Sequence, residues 1–355
     1  MPKQPLDWQR KNEHIFLSEK FYQESNSEFN QLQILAKSIP DTSTSQINIQ
    51  FQWQDQLPIM SAPIYINAMT GGAPQVTEVN SQLSKVAKAL NIPLAVGSMS
   101  NYLRYPQEMI IKNSYQIVRQ NNPHGLLFAN VSAQTPWAKA QQAVDLIQAD
   151  FLQVHLNAAQ EIVMSEGEVD FNWSQNLQTI IQNVNVPVII KEVGCGMTSQ
   201  TVQHLQDLGA TIIDISGRGG TNFVQIENER NHSLDYSFLN DWGLTTLESL
   251  IDIEPQNLPI TILASGGIRT PLDAIKCLIL GAKAVGIAAP VLHSLKHQGL
   301  QQTIINGQKW LQQFTDLMTL LGCHNLQQLS QINYRFKGDL WSFYQQKYCT
   351  KKAGK

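Results

Sequence analysis

Seven consecutive residues, His155-Leu156-Asn157-Ala158-Ala159-Gln160-Glu161, hold four side chains able to bind, orient or transfer protons. They follow an apolar run at 151–154, which reads as a buried strand. A strand that breaks off into His, Asn, Gln and Glu sets those groups together at one edge of a sheet, where the catalytic residues of α/β folds tend to lie. The plain alternative is a polar loop. Four such side chains in so short a stretch, beside other strand ends that are also polar, favour a site.

The elements that position these residues are regular from residue 64 on. Short apolar runs at 64–66, 94–96, 126–129, 151–154, 188–190, 212–215, 260–264 and 284–287 alternate with helical periodicity at 76–90, 109–120, 138–148, 177–184, 201–208 and 272–280. Continuous apolar strands separated by helices imply a parallel sheet buried on both faces. Eight such runs within residues 64–287 match a (β/α)8 TIM barrel. A doubly wound sheet would favour Gly-x-Gly-x-x-Gly after its first strand. The nearest approach, Gly194-Cys195-Gly196-Met197-Thr198-Ser199, lacks the third glycine and reads as a turn. The expected organisation is one domain over 1–355, with an N-terminal arm or lid at 1–60, the barrel at 61–300 and C-terminal helices at 301–355. Helical patterns at 301–321 and 326–332 mark the last part, and 223–259 reads as a long link of the kind that often binds ligands.

In a barrel the strand ends open on one face and share one pocket. Phosphate is usually held there by the loops after strands seven and eight and a helix N-terminus. Gly267, Ile268, Ala288 and Ala289 supply amides at those ends and Arg269 a guanidinium, unless the glycines serve only tight turns. Thr70, Ser98, Asn130 and Thr221, with Met69, Gly71 and Ser216 beside them, read as a polar shelf for a flat ring. Lys191 would favour negative charge on that ring. A phosphate site next to such a shelf predicts bound FMN.

Composition sets the bounds. With 355 residues, 43% hydrophobic and 15% charged, the chain has material for one large or two ordinary soluble domains. Its apolar stretches are strand-length and the start, Met1-Pro2-Lys3-Gln4-Pro5-Leu6-Asp7-Trp8, has no signal-peptide character, so a cytoplasmic protein without a membrane span is expected. A net charge of −3 gives no field to attract nucleic acid, and an anionic ligand must be met by local basic residues. Arg10-Lys11-Asn12-Glu13-His14 is such a cluster, placed at the start of a helix, where the dipole disfavours cations. It is either a solvated charge run or an anion-binding arm. Cys195, Cys277, Cys323 and Cys349 are too scattered for a disulfide framework or a structural zinc. Cys195, close to two glycines, reads as a small residue rather than a reactive thiol.

The motifs taken in order give a specific resemblance. Arg10-Lys11-x-Glu13-His14, Met69-Thr70-Gly71-Gly72, Gly97-Ser98, His155-Leu156-Asn157-x-x-Gln160-Glu161, Glu166-Gly167-Glu168, Lys191-Glu192-Val193-Gly194, Ser216-Gly217-x-Gly219-Gly220-Thr221, Asp241-Trp242-Gly243 and Ser265-Gly266-Gly267-Ile268-Arg269 resemble the type 2, FMN-dependent isopentenyl-diphosphate isomerases nearly end to end. The resemblance implies reversible conversion of isopentenyl diphosphate into dimethylallyl diphosphate, with reduced FMN and Mg²⁺, in a homotetramer or homo-octamer. In two places the chain departs from it. Ser100 stands where many members carry Arg, so Arg104 or the N-terminal pair is expected to compensate, and Val169 stands where a basic residue is common.

The residues suit that chemistry. Moving a double bond by one carbon needs one proton delivered and another removed at neighbouring atoms. An amide such as Gln160 does neither readily, so it is expected to orient the reacting tail, with His155 positioning or relaying and the reduced flavin carrying the proton. Glu161 is the expected Mg²⁺ ligand, because Mg²⁺ is commonly held by one or two carboxylates plus substrate phosphates. The diphosphate would lie against the metal, Arg10, Lys11 and His155, and NADPH would be a transient reductant. Two other functions fit the barrel. A 2-hydroxy-acid oxidase or dehydrogenase would call for His and Arg in the sixth-strand loop, whereas Ser216-Gly217-Arg218-Gly219-Gly220 has no His. A non-catalytic FMN or phosphate sensor would not need His155, Gln160 and Glu161.

Overall fold

Every expected apolar run forms a strand. We label them β1 (Ile64–Ile66), β2 (Leu94–Ala95), β3 (Leu127–Ser132), β4 (Phe151–His155), β5 (Val188–Lys191), β6 (Ile212–Asp214), β7 (Thr261–Ser265) and β8 (Ala284–Ile287). Each pairs in parallel with its neighbour in sequence, and β8 returns to β1 through Val285 opposite Ile64, closing the barrel. The computed structural model describes residues 6–24 and 28–349; residues 1–5, 25–27 and 350–355, parts of the expected arm and tail, lie outside the described residues, as does the Cys349 side chain. Among the described residues no helix is long and apolar enough to cross a membrane.

The outer helices Thr77–Leu90, Met109–Asn121, Trp137–Ile147, Ser174–Asn183, Ser199–Asp207 and Pro271–Ile279 match the expected periodic stretches. The helix Ser174–Asn183 starts before its pattern because Ser174 and Gln175 are exposed and add nothing to an apolar stripe. Residues 223–259 are not a loop, as expected, but carry helices Phe223–Arg230 and Thr246–Ile253. The first is too short and polar to read by periodicity. The second has a legible start, the Thr245–Glu248 capping box. After β8 the chain runs as a helix over Ala289–Leu320, bent at Gly299, whose φ of 76° is left-handed. The helical pattern at 326–332 is a 3-10 segment, Leu326–Gln331, and a last helix, Gly338–Cys349, carries no clear signal in the sequence.

The expected lid divides in two. Helix Leu6–Lys20 lies over the C-terminal mouth of the barrel, whereas the rest of the arm runs elsewhere. Leu32–Ile34 pairs with Tyr334–Phe336, and Phe51–Gln52 pairs with Ile59–Met60. This second hairpin puts Trp53 edge-on to Phe128, Phe151 and Tyr65, at ring separations of 5.2, 5.7 and 5.6 Å, and so closes the N-terminal end.

Alternation along each strand then builds the interior in layers. Phe128, Phe151, Ile189, Ile212 and Leu263 form a fully apolar floor. Two residues further along the same strands stand Asn130, Gln153, Lys191, Asp214 and Ser265, all buried and polar. His155, two more residues along β4, reaches the mouth. The barrel axis therefore runs from hydrocarbon to hydrogen-bonding groups.

Candidate active site

The mouth opens into a cavity of about 470 Å³, within the size range of small-molecule sites. It gathers nearly all the expected residues. Arg10 and Lys11 come from the arm; Met69, Thr70 and Ser98 from the first two strand ends; Asn130, His155, Gln160, Glu161 and Lys191 from the next three. Ser216, Thr221, Gly267, Ile268, Arg269, Ala288 and Ala289 complete the wall. Gly71 does not line it. A Cβ there would lie 2.1 Å from the Tyr115 ring, so Gly71 makes room for that ring, and the Tyr115 hydroxyl donates to the Ser98 carbonyl at 2.6 Å.

A directional chain of hydrogen bonds lies beneath His155. The Asn67 orientation is settled from two sides: the Ala68 N–H donates to its Oδ1 at 2.8 Å, and its Nδ2 donates to the Asp214 carboxylate at 3.1 Å. Gln153 Nε2 must then donate to Asn67 Oδ1 (3.2 Å), which turns Gln153 Oε1 toward Asn130 Nδ2 (3.1 Å). Asn130 Oδ1 is left facing His155 Nδ1 at 2.8 Å, so Nδ1 carries the proton. The lone pair of the neutral ring is therefore on Nε2. Burial, with Lys191 and Lys11 nearby, pushes the His155 pKa down to about 3 and keeps the ring neutral. Asp214 also accepts from Tyr65 and Ser265, each at 2.7 Å.

A second network holds Gln160. Glu227, completely buried on the helix after β6, accepts on one oxygen from Gln160 Nε2 and His14 Nε2, both at 2.8 Å. Its other oxygen pairs with Arg230. Burial alone would raise the Glu227 pKa, but the bonds from His14 and Gln160 and the Arg230 charge bring it down to about 2. Arg230 extends the network to Glu13 at 2.8 Å and Glu166 at 3.1 Å, which ties the arm helix to the loop after β4. Asn67, Gln153, Asp214 and Glu227 are absent from the expectations drawn from the sequence.

Glu161 stands on the helix Ala158–Val163, accepting from Asn157 Nδ2 at 2.7 Å on one oxygen and from the Glu168 N–H at 3.0 Å on the other. Neither bond neutralises its charge, and both oxygens keep lone pairs, so the carboxylate fits a Mg²⁺ ion that takes its remaining ligands from water and phosphate. Lys191 is buried, which lowers its pKa against the raising effect of Asp214 and Glu192, and its Nζ donates to the Glu192 carbonyl at 2.5 Å. Burial raises the Glu192 carboxyl to about 7, although the N–H groups of Val193, Gly194 and Cys195 all donate to it. The Cys195 thiol is pushed up to about 12 by burial and by Glu192, in keeping with a small packing residue.

The end of the cavity expected to take a phosphate is made of backbone. A Cβ on Gly266 would lie 1.9 Å from the Gly217 carbonyl oxygen, and one on Gly220 would lie 2.8 Å from the Gly267 nitrogen, so the loops after β6 and β7 meet with no side chain between them. Gly266 and Gly267 have φ of 100° and 73°, which suits glycine. Ala288 and Ala289 begin the long helix, whose first N–H groups have no helical acceptors. Arg269 lines the cavity with three of its five N–H donors already engaged. Its guanidinium donates to the carbonyls of Gln23 (2.6 Å), Gly267 (2.8 Å) and Gly219 (3.1 Å), which makes it a clasp between those loops and the arm. Gln134 Nε2, in the cavity wall, is buried with no partner among the described residues. An amide cradle, a polar shelf and an unmet donor fit the phosphate and ring of FMN.

Comparison with known proteins agrees. The FMN-dependent dehydrogenase family matches residues 107–335. Curated isopentenyl-diphosphate delta-isomerases of Latilactobacillus sakei and Staphylococcus epidermidis are each 42% identical, covering 92% and 96% of this chain and equal shares of their own. That of Lacticaseibacillus paracasei is 43% identical over 93% of this chain and 94% of its own length. Among solved structures, mandelate oxidase aligns with a TM-score of 0.62 over 92% of each chain, at 13% identity, a likeness of fold alone. With its barrel, its amide cradle and these relatives, the chain belongs to the FMN-dependent, type 2 isopentenyl-diphosphate delta-isomerases.

Proposed function

We propose that the protein interconverts isopentenyl diphosphate and dimethylallyl diphosphate in the barrel mouth, with Mg²⁺ and reduced FMN. The observation that carries this reading is the joint fixing of Gln160 by Glu227 and of His155 by Asn130 on the wall of one cavity. When bound in reduced form, FMN supplies a ring able to give and take a proton beside the reacting carbons.

The chain's own residues bind, orient and exclude water. Gly267, Ile268, Ala288 and Ala289 hold the flavin phosphate with backbone amides, while Thr70, Ser98, Asn130, Ser216 and Thr221 hold the ring edge. Lys191 places a buried cation where it favours an anionic ring. Arg10 and Lys11 meet the diphosphate, whose charge is shared with Mg²⁺ on Glu161. His155 presents an unprotonated Nε2 to the ligand; it can accept a proton there and become a donor only after doing so. Gln160 fixes the tail, and the arm helix keeps water from the reacting carbons.

NADPH is a visiting reductant in this reading, and the enzyme works in the cytoplasm as a tetramer or octamer, which light scattering measures directly. The free thiols Cys195, Cys277 and Cys323 suit a reducing compartment. The deciding experiment incubates the purified protein anaerobically with FMN, NADPH, Mg²⁺ and isopentenyl diphosphate. Dimethylallyl diphosphate is the expected product, and its absence would overturn the proposal.

A further inference from the structure

We propose that Glu19, His293 and His297 form a transition-metal site that fastens the mouth-covering helix to the barrel. The three residues come from two elements. Glu19 sits in the last turn of Leu6–Lys20, and the histidines, four residues apart, share one face of Ala289–Leu320. On a helix that spacing sets two imidazoles side by side, and here their ring centroids are 4.3 Å apart.

The Glu19 Oε2 atom lies 3.2 Å from His293 Nδ1 and 3.1 Å from His297 Nε2, and the three ligand atoms all fall within 4.8 Å of one another. Metal–ligand bonds of about 2.0–2.1 Å in a tetrahedron place neighbouring ligand atoms about 3.3 Å apart. Two edges of that tetrahedron are thus close to size, and a small turn of the exposed His297 ring adjusts the third. The same distances also suit two hydrogen bonds to the carboxylate, so the test must separate coordination from hydrogen bonding. Tyr22 stacks on His293 at 4.2 Å with the planes 16° apart, which limits that ring's rotation.

The donor set chooses the ion. Two imidazoles and one carboxylate suit Zn²⁺, Co²⁺ or Ni²⁺ and leave a fourth position for water. Mg²⁺ prefers oxygen ligands throughout, so this site does not compete for the ion assigned to Glu161. Its position gives it an effect. The helix that supplies Glu19 also supplies Arg10, Lys11 and His14 to the cavity, and Tyr22 lines the cavity wall. A metal bridge replaces hydrogen bonds between arm and barrel with coordinate bonds, and slows the opening of the mouth.

The inference does not use the isomerase reading, so either can fail alone. Zn²⁺ is titrated into the FMN-loaded enzyme against a chromophoric chelator, with the flavin spectrum reporting an intact fold. The expected result is one Zn²⁺ per chain at micromolar affinity, weakened at least about tenfold by His297→Ala and by Glu19→Gln. The remote, exposed His124→Ala should leave it unchanged. Zn²⁺ should also slow tryptic cleavage after Lys20 in the native enzyme and not in His297→Ala. Failure to bind Zn²⁺, binding that survives both substitutions, or equal loss in His124→Ala would overturn the proposal.

Discussion

His155 and Asp214 stand at opposite ends of one hydrogen-bonded chain, through Asn130, Gln153 and Asn67, in which every donor points toward the carboxylate. A carboxylate only accepts, so Asp214, together with the Ala68 N–H on Asn67 Oδ1, fixes the direction of each amide above it and thereby the tautomer of a ring it does not touch. Asp214→Asn keeps the shape and removes the stronger, charged one of those two constraints, the Ala68 N–H remaining. The expected outcome is a mixture of His155 tautomers, visible in ¹⁵N shifts of the imidazole, and turnover lower by about one to two orders of magnitude. A single unchanged tautomer would show that the Asp214 charge is not what sets it.

Gln160 and Glu161 are adjacent, yet the turn into the helix Ala158–Val163 sends them to different partners, Glu227 and Asn157. Gln160→Leu should slow turnover at saturating substrate by about a hundredfold and leave KM little changed. Glu161→Gln should instead raise the substrate requirement, with partial recovery at high Mg²⁺. Steady-state kinetics across a Mg²⁺ series distinguishes the two patterns, and their exchange would reverse the assigned roles.

Arg269→Ala removes a charged donor from three carbonyls at once. Hydrogen bonds from charged groups are worth about 1.5–3 kcal/mol each, so loosening the phosphate loops should weaken FMN binding at least about tenfold. Flavin fluorescence titration measures this. Because the clasp also holds Gln23, protease sensitivity of the arm should rise in the same variant.

Acid should destabilise the protein earlier than carboxylate titration alone would. His155 has a folded pKa of about 3 against the ordinary 6.5, so below pH 6.5 the unfolded chain takes up a proton that the native ring refuses. Its contribution is complete above pH 6.5 and is lost as pH falls toward 3, at no more than about 1.4 kcal/mol per unit. Glu227 has its own window: present above the ordinary 4.5, its stabilisation is lost as pH falls toward about 2. Between pH 7 and pH 5 the raised Glu192 carboxyl works in the opposite sense, so the test is the difference: urea midpoints should fall further, or rise less, over that range in the unsubstituted protein than in His155→Asn.

The barrel was legible because strands buried on both faces must be apolar throughout, and that signal is local. The mouth was legible for the same reason, since polar groups and glycines crowd where the runs stop. Two members of the layer between were hidden inside those runs. Gln153 lies within 151–154 and Asp214 within 212–215, so a reading of average hydrophobicity passes over both. Period-two alternation would have found Gln153 two residues before His155, and Asn130, Lys191 and Ser265 stood where their runs stop. Glu227 left no local sign. Its burial depends on His14, 213 residues earlier, arriving with the arm. Arg269 was assigned by type, and only the geometry reveals that its Nε and Nη1 donors already join the loops to the arm.

The Trp53 hairpin plugs the N-terminal end of the barrel and leaves the cavity to open at its mouth. In the proposed reaction, reductant, substrate and product would all pass the mouth beneath Leu6–Lys20. The two halves of the proposed work, recharging the flavin and moving the double bond, would then be kept apart by time rather than by space. A nicotinamide and a diphosphate should exclude each other, and each should slow the other's access when present in excess.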